Sequence, residues 1–164
     1  MPPKDTDPEI RTDLRPGDLG RIVMLHGELY AAEHGLDHTF EPYVAGPLAK
    51  FVQRADPRER IWIVTRSGCT AGSAAIVTAA PEAAQLRWLL LHPDLRGRGL
   101  GRRLVTEAVD FARRNGYQTV LLWTLGHLST AVGIYRSLGF VREESHNRRL
   151  WGRELVEEKF TLAL

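Results

Sequence analysis

The sequence predicts a mixed α/β domain, a central sheet flanked by helices. Three observations carry this. Between residues 60 and 91, short apolar runs alternate with turn residues, as in strands that meander antiparallel. Residues 85–122 read strand, glycine-rich turn, helix, strand, an order that needs a parallel crossover. Apolar residues recur at helical spacing in 19–34, 40–54 and 129–138.

Taken in order, residues 1–8 are polar and proline-containing and read as a flexible tail, leaving residues 9–164 as a single domain. Residues 10–14 alternate weakly, as a first strand. Pro16-Gly17-Asp18 is a turn and a helix start, with Asp18 as candidate N-cap. In 19–34, Ile22, Leu25, Leu29 and Ala32 form an apolar stripe. His26, Tyr30, Glu33 and His34 fall on a neighbouring polar face. Gly35 ends that helix. The next covers 40–54, with Phe40, Tyr43, Val44, Leu48, Phe51 and Val52 on its apolar side and Pro47 expected to kink or break it. Strands follow at 60–65, 71–78 and 85–91, with turns at Ser67-Gly68 and Pro81-Glu82. The helix after Gly101 places Leu104, Val105, Ala108, Phe111 and Ala112 on one side. A strand at 119–123, a short helix at 129–138 closed by Gly139, and strands at 140–143 and 156–162 complete the chain. The exposed closing strands allow a homodimer.

Composition narrows the class. A chain of 164 residues that is 43% hydrophobic can bury a substantial core. A net charge of +2 gives no support for non-specific nucleic-acid binding. One cysteine, Cys69, cannot close an internal disulfide, which fits a reducing cytoplasm. It sits in a turn without an evident basic partner, so a structural role is expected. No secretory leader and no apolar run near 18 residues is present, so no membrane contact is expected. Two histidines and a glutamate on 19–34 suggest a metal only weakly. There is no HExxH spacing and no cysteine partner, so no metal is expected.

The chemistry concentrates in His92 to Asn115. Arg96-Gly97-Arg98-Gly99-Leu100-Gly101 forms a turn between a strand and a helix. Glycines let the backbone approach a ligand closely. The helix start offers free N–H groups and partial positive charge, so the turn is a candidate anion site, most often for phosphate. Arg96, Arg98, Arg102 and Arg103 surround it with forked donors. There is no GxxxxGK(S/T), and the glycines do not match GxGxxG, so nucleoside-triphosphate and dinucleotide loops are excluded.

Arg96-x-x-Gly99-x-Gly101 resembles the acetyl-coenzyme A motif of the GNAT family of N-acetyltransferases. The segment Ala131-Val132-Gly133-Ile134-Tyr135-Arg136-Ser137-Leu138-Gly139-Phe140 is similar to that family's A-I-x-L-Y-x-K-x-G-F signature. The resemblance covers nearly the whole chain from Glu9. It implies the acyl-coenzyme A N-acyltransferase fold, with the sheet splayed between the strands at 85–91 and 119–123 and acetyl-coenzyme A in the gap. The diphosphate would meet Arg96, Gly97, Arg98, Gly99, Gly101 and Arg102. The amide-rich pantetheine arm would pair with backbone groups of Leu89 and Leu91. Tyr135 would be the general acid toward the leaving sulfur, and a backbone N–H near Leu91 would polarise the thioester carbonyl. The family often has Asn seven residues before the tyrosine. Here that residue is Leu128, and Ser129 or Thr130 is expected to take over the pantetheine contact.

His26, Tyr30 and Glu33 are candidates to line the amine acceptor's side, the alternative being a solvated polar stripe. For a general base the candidates are Glu33, His26, His34 and His92, with Glu33 first because a carboxylate also complements a cationic acceptor. Residues 26–37, 122–124 and 152–156 are similar to the acetyltransferase half of proteins in which this domain follows a MarR-type winged helix. Only about eight residues precede the first strand here, so a stand-alone catalytic domain without DNA binding is expected. The expected reaction is direct acetyl transfer to a primary amine. An acyl-coenzyme A sensor without turnover and an arginine-cluster nucleic-acid module are its rivals, and another acyl donor is an open variant.

Overall fold

The computed structural model describes residues 7–164. The expected tail at 1–8 therefore lies outside the described residues, except for Asp7 and Pro8. Seven strands form one mixed sheet: β1 (Glu9–Arg11), β2 (Arg60–Arg66), β3 (Cys69–Ala80), β4 (Ala83–Leu91), β5 (Thr119–Leu125), β6 (Val141–Leu150) and β7 (Arg153–Ala163). Their order across the sheet is β1-β2-β3-β4-β5-β7-β6. Only the β4–β5 pair is parallel; the other neighbours run antiparallel. The crossover that parallel pairing demands is supplied by the helix between β4 and β5, as the sequence pattern requires.

Four helices cover the sheet: α1 (Asp18–His34), α2 (Phe40–Arg54), α3 (Leu100–Arg114) and α4 (Ser129–Ser137). The alternation of β2 divides the core. Ile61 and Ile63 pack with Ile22, Phe40, Val44, Leu48 and Phe51 of α1 and α2. Trp62 and Val64 pack with Leu104, Val105, Ala108 and Phe111 of α3 and with Tyr135 of α4. Period-2 strands sandwiched between helices bury both faces, which is why β2 and β3 are nearly continuous apolar runs. No described helix is long and apolar enough to cross a membrane.

Several local expectations need correction. Asp18 is not the N-cap. Gly17 takes that position with φ 93, and the buried Asp18 carboxylate turns inward. It accepts from Arg11 Nη1 and Nη2 at 2.9 and 2.7 Å, from the Arg15 N–H at 2.7 Å and from Thr70 Oγ1 at 2.9 Å. One carboxylate thus ties β1, α1 and β3 together. His26 is not on a polar face: it is buried with Ile22, whereas Ala32 of the expected apolar stripe is exposed. The inward stripe of α1 is rotated toward 18, 22 and 26 because α2 packs against that side. Helix α2 runs unbroken through Pro47, and its Tyr43 and Val52 are exposed. The first strand is shorter than expected, and β6 and β7 are longer, forming a ribbon turned at Trp151-Gly152.

Candidate active site

The sheet opens where β4 leaves β5. Their ladder holds only Ala83↔Thr119, Ala84↔Val120 and Gln85↔Leu121. Beyond Gln85 the two strands diverge. A bulge drives the divergence: the β3–β4 register shifts between Ser73 and Ala75, and Trp88 sits there with φ 51. Bulges bend the strand that carries them. Ser73 Oγ holds the distortion by donating to the Trp88 carbonyl at 2.7 Å. Gly72 leaves room for it, since a Cβ there would meet the Leu90 carbonyl oxygen at 2.7 Å. The sheet is therefore splayed as the family resemblance implied.

On the α3 side of the opening lies a cleft of about 770 Å³. Its floor is Leu89, Leu90 and Leu91; its rim is Arg96, Gly97, Gly99, Gly101 and Arg102; its far wall is Leu128, Ser129, Thr130 and Ile134. Gly97 and Gly99 take φ 74 and 77, a region that side-chain-bearing residues disfavour. Gly99 caps α3 without a side-chain hydrogen bond, and the first helical bond runs from the Arg103 N–H to the Gly99 carbonyl. The N–H groups of Leu100, Gly101 and Arg102 thus have no partner within the helix. The first turn has no acidic residue. A helix start without a side-chain cap, beside arginines, suits a diphosphate. At Gly101 a Cβ would come within 3.2 Å of Ile134, so glycine keeps α3 close to α4. The residues present fit acetyl-coenzyme A: free donors for its anionic end and an unpaired strand edge for its amide arm.

Two contacts close over this cleft. Arg96 reaches α1 and forms a bidentate pair with Glu33, at 2.7 and 2.8 Å, while its Nε donates to the Leu91 carbonyl at 3.1 Å. The hydrogen bonds from Arg96 hold the Glu33 carboxyl below its usual range despite partial burial. Glu33 is therefore a weak base here, and its charge is already neutralised; the structure does not leave it free for a cationic acceptor. His34 and His127 hydrogen-bond at 3.0 Å between Nδ1 and Nε2. Partial burial, then the neighbouring His127, lowers the His34 pKa.

A second, smaller cavity of about 120 Å³ opens on the α1–α2 side of the gap. Tyr30, Leu89, Leu128 and Ala131 line both spaces, so the two meet at the split. Tyr135 lines only the smaller one. Its ring packs on Phe140 and Phe160, with centroids 5.9 and 6.2 Å away. Burial, with Tyr30 nearby, pushes its phenol far above the usual tyrosine range, and no hydrogen bond contributes. Burial likewise pushes Tyr30 up to about 12. Both phenols therefore keep their protons at any physiological pH. His26 is the converse case. Its Nδ1–H donates to the Ile22 carbonyl at 2.7 Å, and burial lowers its pKa to about 4, so it is neutral.

Of the expected cofactor residues, Leu89, Leu91, Arg96, Gly97, Gly99, Gly101, Arg102 and Ser129 come together around the larger cleft. The Arg98 side chain is exposed and does not line it. His26 and Tyr135 belong to the smaller cavity, Glu33 to the larger. Leu128 precedes α4 without a side-chain cap, so it offers an apolar wall where an asparagine would offer an amide. His92 lies past β4, where its Nδ1 accepts from the Asp94 N–H at 3.3 Å. Sequence reasoning missed the aromatic walls of the smaller cavity: Phe40, Tyr43, Trp88, Trp123 and Trp151. They come from α2, β4, β5 and the β6–β7 turn, and no local sequence signal joins them. Among the described residues no group of three or more metal-ligating side chains is assembled.

Comparison with known proteins agrees with this geometry. The sequence profile of the acetyltransferase (GNAT) family matches residues 24–140. An uncharacterised N-acetyltransferase of Schizosaccharomyces pombe is 34% identical over 134 residues, which span 80% of this chain and 81% of the relative. The N-alpha-acetyltransferase RimI of Mycobacterium tuberculosis is 29% identical across 84% of this chain and 82% of that protein. Among solved structures, an acetyltransferase of Salmonella typhimurium determined with its cofactor acetyl-CoA superposes with a TM-score of 0.77. It covers 96% of this chain and 94% of its own at 19% identity, a likeness of fold. By profile, relatives and fold together, the chain belongs to the GNAT family of acetyltransferases.

Proposed function

We propose that this protein is an acetyl-CoA-dependent N-acetyltransferase that passes acetyl directly to a primary amine of a small molecule or protein. One observation carries the reading: the β4–β5 split joins a cleft at the uncapped start of α3 to a cavity lined by Tyr135. Bound acetyl-CoA would supply a thioester, so that the amine nitrogen gains the acetyl carbon, the carbon–sulfur bond breaks and the thiolate takes up a proton. Tyr135 is the proposed proton donor, held protonated by burial. Leu100, Gly101 and Arg102 N–H groups, with Arg96 and Arg102 side chains, would hold the diphosphate, the backbone of Gly97–Gly99 the adjoining atoms, and Ser129 with the Leu89 edge the pantetheine arm. Tyr30 separates the two spaces and would orient the amine.

Glu33 was the leading base candidate on sequence grounds; its pairing with Arg96 supports water as the proton acceptor instead. We further propose that residues 9–164 work as one catalytic domain, in the cytoplasm as the lone cysteine suggests, with a homodimer as its assembly and no nucleic-acid partner. The motifs at 26–37, 122–124 and 152–156 support kinship with the acetyltransferase half of MarR-type fusions. A sensor without turnover is the second reading, favoured by Leu128 standing where the family often has asparagine. The test is amine-dependent release of free thiol from acetyl-CoA, with the acetylated product identified by mass. Stoichiometric thiol and product support the enzyme. Cofactor binding without thiol release from any amine supports the sensor.

A further inference from the structure

Arg87 lies two residues beyond the end of the β4–β5 ladder and lines the smaller cavity. It is half-buried. Its guanidinium carbon sits 5.1 Å from the Trp88 ring centroid and 5.8 Å from that of Tyr43. Cation–π contact with two rings holds the group against the wall, and no hydrogen bond to another described residue engages its donors. Among the described residues it has no carboxylate partner. The one acid in the cavity wall, Glu157, is committed to Arg148 at 3.2 Å. The remaining polar walls, Gln85, Thr124, Tyr30, Tyr135 and the neutral His26, bring no negative charge. The cavity thus holds one positive charge without a carboxylate partner, set among aromatic rings where an arriving anion would complement it.

We propose that Arg87 sets acceptor specificity by receiving, through its forked N–H donors, the carboxylate of a small amine such as an amino acid or its derivative. The inference rests on the acetyltransferase reading and deepens it. A planar fork matches a carboxylate in bidentate fashion, which a neutral amide cannot copy. About 120 Å³ holds on the order of ten non-hydrogen atoms, the size of a small amino acid rather than a folded chain. The rings of Phe40, Tyr43 and Trp151, stacked, edge to face and tilted against one another, supply the apolar wall. Arg87 binds the acceptor directly, and the transfer itself still falls to the residues at the split.

The test pairs free amino acids with their carboxamides and with peptides that present a free N-terminus. Two readouts are used: thiol release, and quenching of tryptophan emission, to which Trp88, Trp123 and Trp151 report from the cavity wall without turnover. The expected result is a preference for the carboxylate of about tenfold to a hundredfold in kcat/KM and in binding, the scale of charge-assisted hydrogen bonds. Arg87→Gln should abolish that preference, bringing kcat/KM and binding of the carboxylate down to those of the carboxamide. Arg87→Lys should restore part of it. Equal response to carboxylate and carboxamide overturns the proposal. So does a preference that survives in Arg87→Gln, a preference for peptide N-termini, or no carboxylate-dependent response across the panel. The acetyltransferase reading fails separately, by absence of stabilisation by acetyl-CoA and of thiol release with every amine.

Discussion

Replacing Tyr135 by Phe removes one oxygen from a ring that is 5% exposed and wedged between Phe140 and Phe160. No hydrogen bond contributes to the phenol's titration, so the fold loses no polar partner. The variant should match the wild type in stability to within about 0.5 kcal/mol, or roughly 2 °C in Tm. Its acetyl-CoA affinity should be unchanged, because Tyr135 does not line the larger cleft. The rate is a different matter. General acid catalysis contributes about a hundredfold to ten-thousandfold. A thiol near pKa 8.5 leaves without much help, which places the expected loss at the low end, about a hundredfold in kcat, or about 2.7 kcal/mol in the barrier. Burial raises the phenol's pKa, so the active, protonated form persists above the ordinary tyrosine range. Loss of this proton should therefore impose no fall in wild-type rate up to about pH 10. Steady-state thiol release across pH 6–10, with Tm and acetyl-CoA binding measured on the same samples, decides it. A kcat within threefold of wild type in a folded, cofactor-binding variant would refute the role given to Tyr135.

Other expectations follow from the same contacts. Glu33→Gln frees Arg96 from its bidentate pair. The half-exposed pair contributes no more than about 1 kcal/mol to stability, and acetyl-CoA should bind more tightly by about twofold to tenfold; a tenfold loss of kcat at unchanged affinity would instead make Glu33 catalytic. Asp18→Ala leaves the partly buried Arg11 and the buried Thr70 hydroxyl without their partner and should cost about 2–3 kcal/mol in urea unfolding; a loss below 1 kcal/mol would show the network to be idle. His26 has a folded pKa near 4 against an ordinary 6.5, so the unfolded chain binds a proton that the folded one refuses. Stability should therefore decline as pH falls from about 6.5 to about 4, by about 3 kcal/mol in all. His26→Leu should flatten that limb.

Much of this was legible in the sequence, for identifiable reasons. Strand and helix periods in 60–91 and 100–114 follow directly from burial on one or both faces, so their placement came within a few residues. The anion site was legible because its chemistry is local: glycines at φ 74 and 77 and a helix start are consecutive in the chain. What stayed hidden depends on contacts between distant residues. Which face of α1 is buried depends on α2, so the sequence alone reads His26 as polar-facing, although it is buried beside Tyr30. Glu33 looked free because Arg96, 63 residues away, was not yet beside it. The bulge at Trp88 leaves no turn residue as a mark, although it opens the sheet. The aromatic cavity and Arg87 are assembled by topology alone.

The central claim is that acetyl-CoA binds in the cleft at the start of α3, and thermal unfolding tests it most directly. Ligand at a hundred times its Kd should add about 2.7 kcal/mol, a rise of roughly 5–11 °C for a chain of this size. In Gly99→Val, a branched side chain enters a position with φ 77 at the mouth of the cleft; the protein should lose about 1–2 kcal/mol and show almost no rise. A wild-type midpoint that stays fixed at millimolar acetyl-CoA, or one that rises equally in both proteins, would contradict the site.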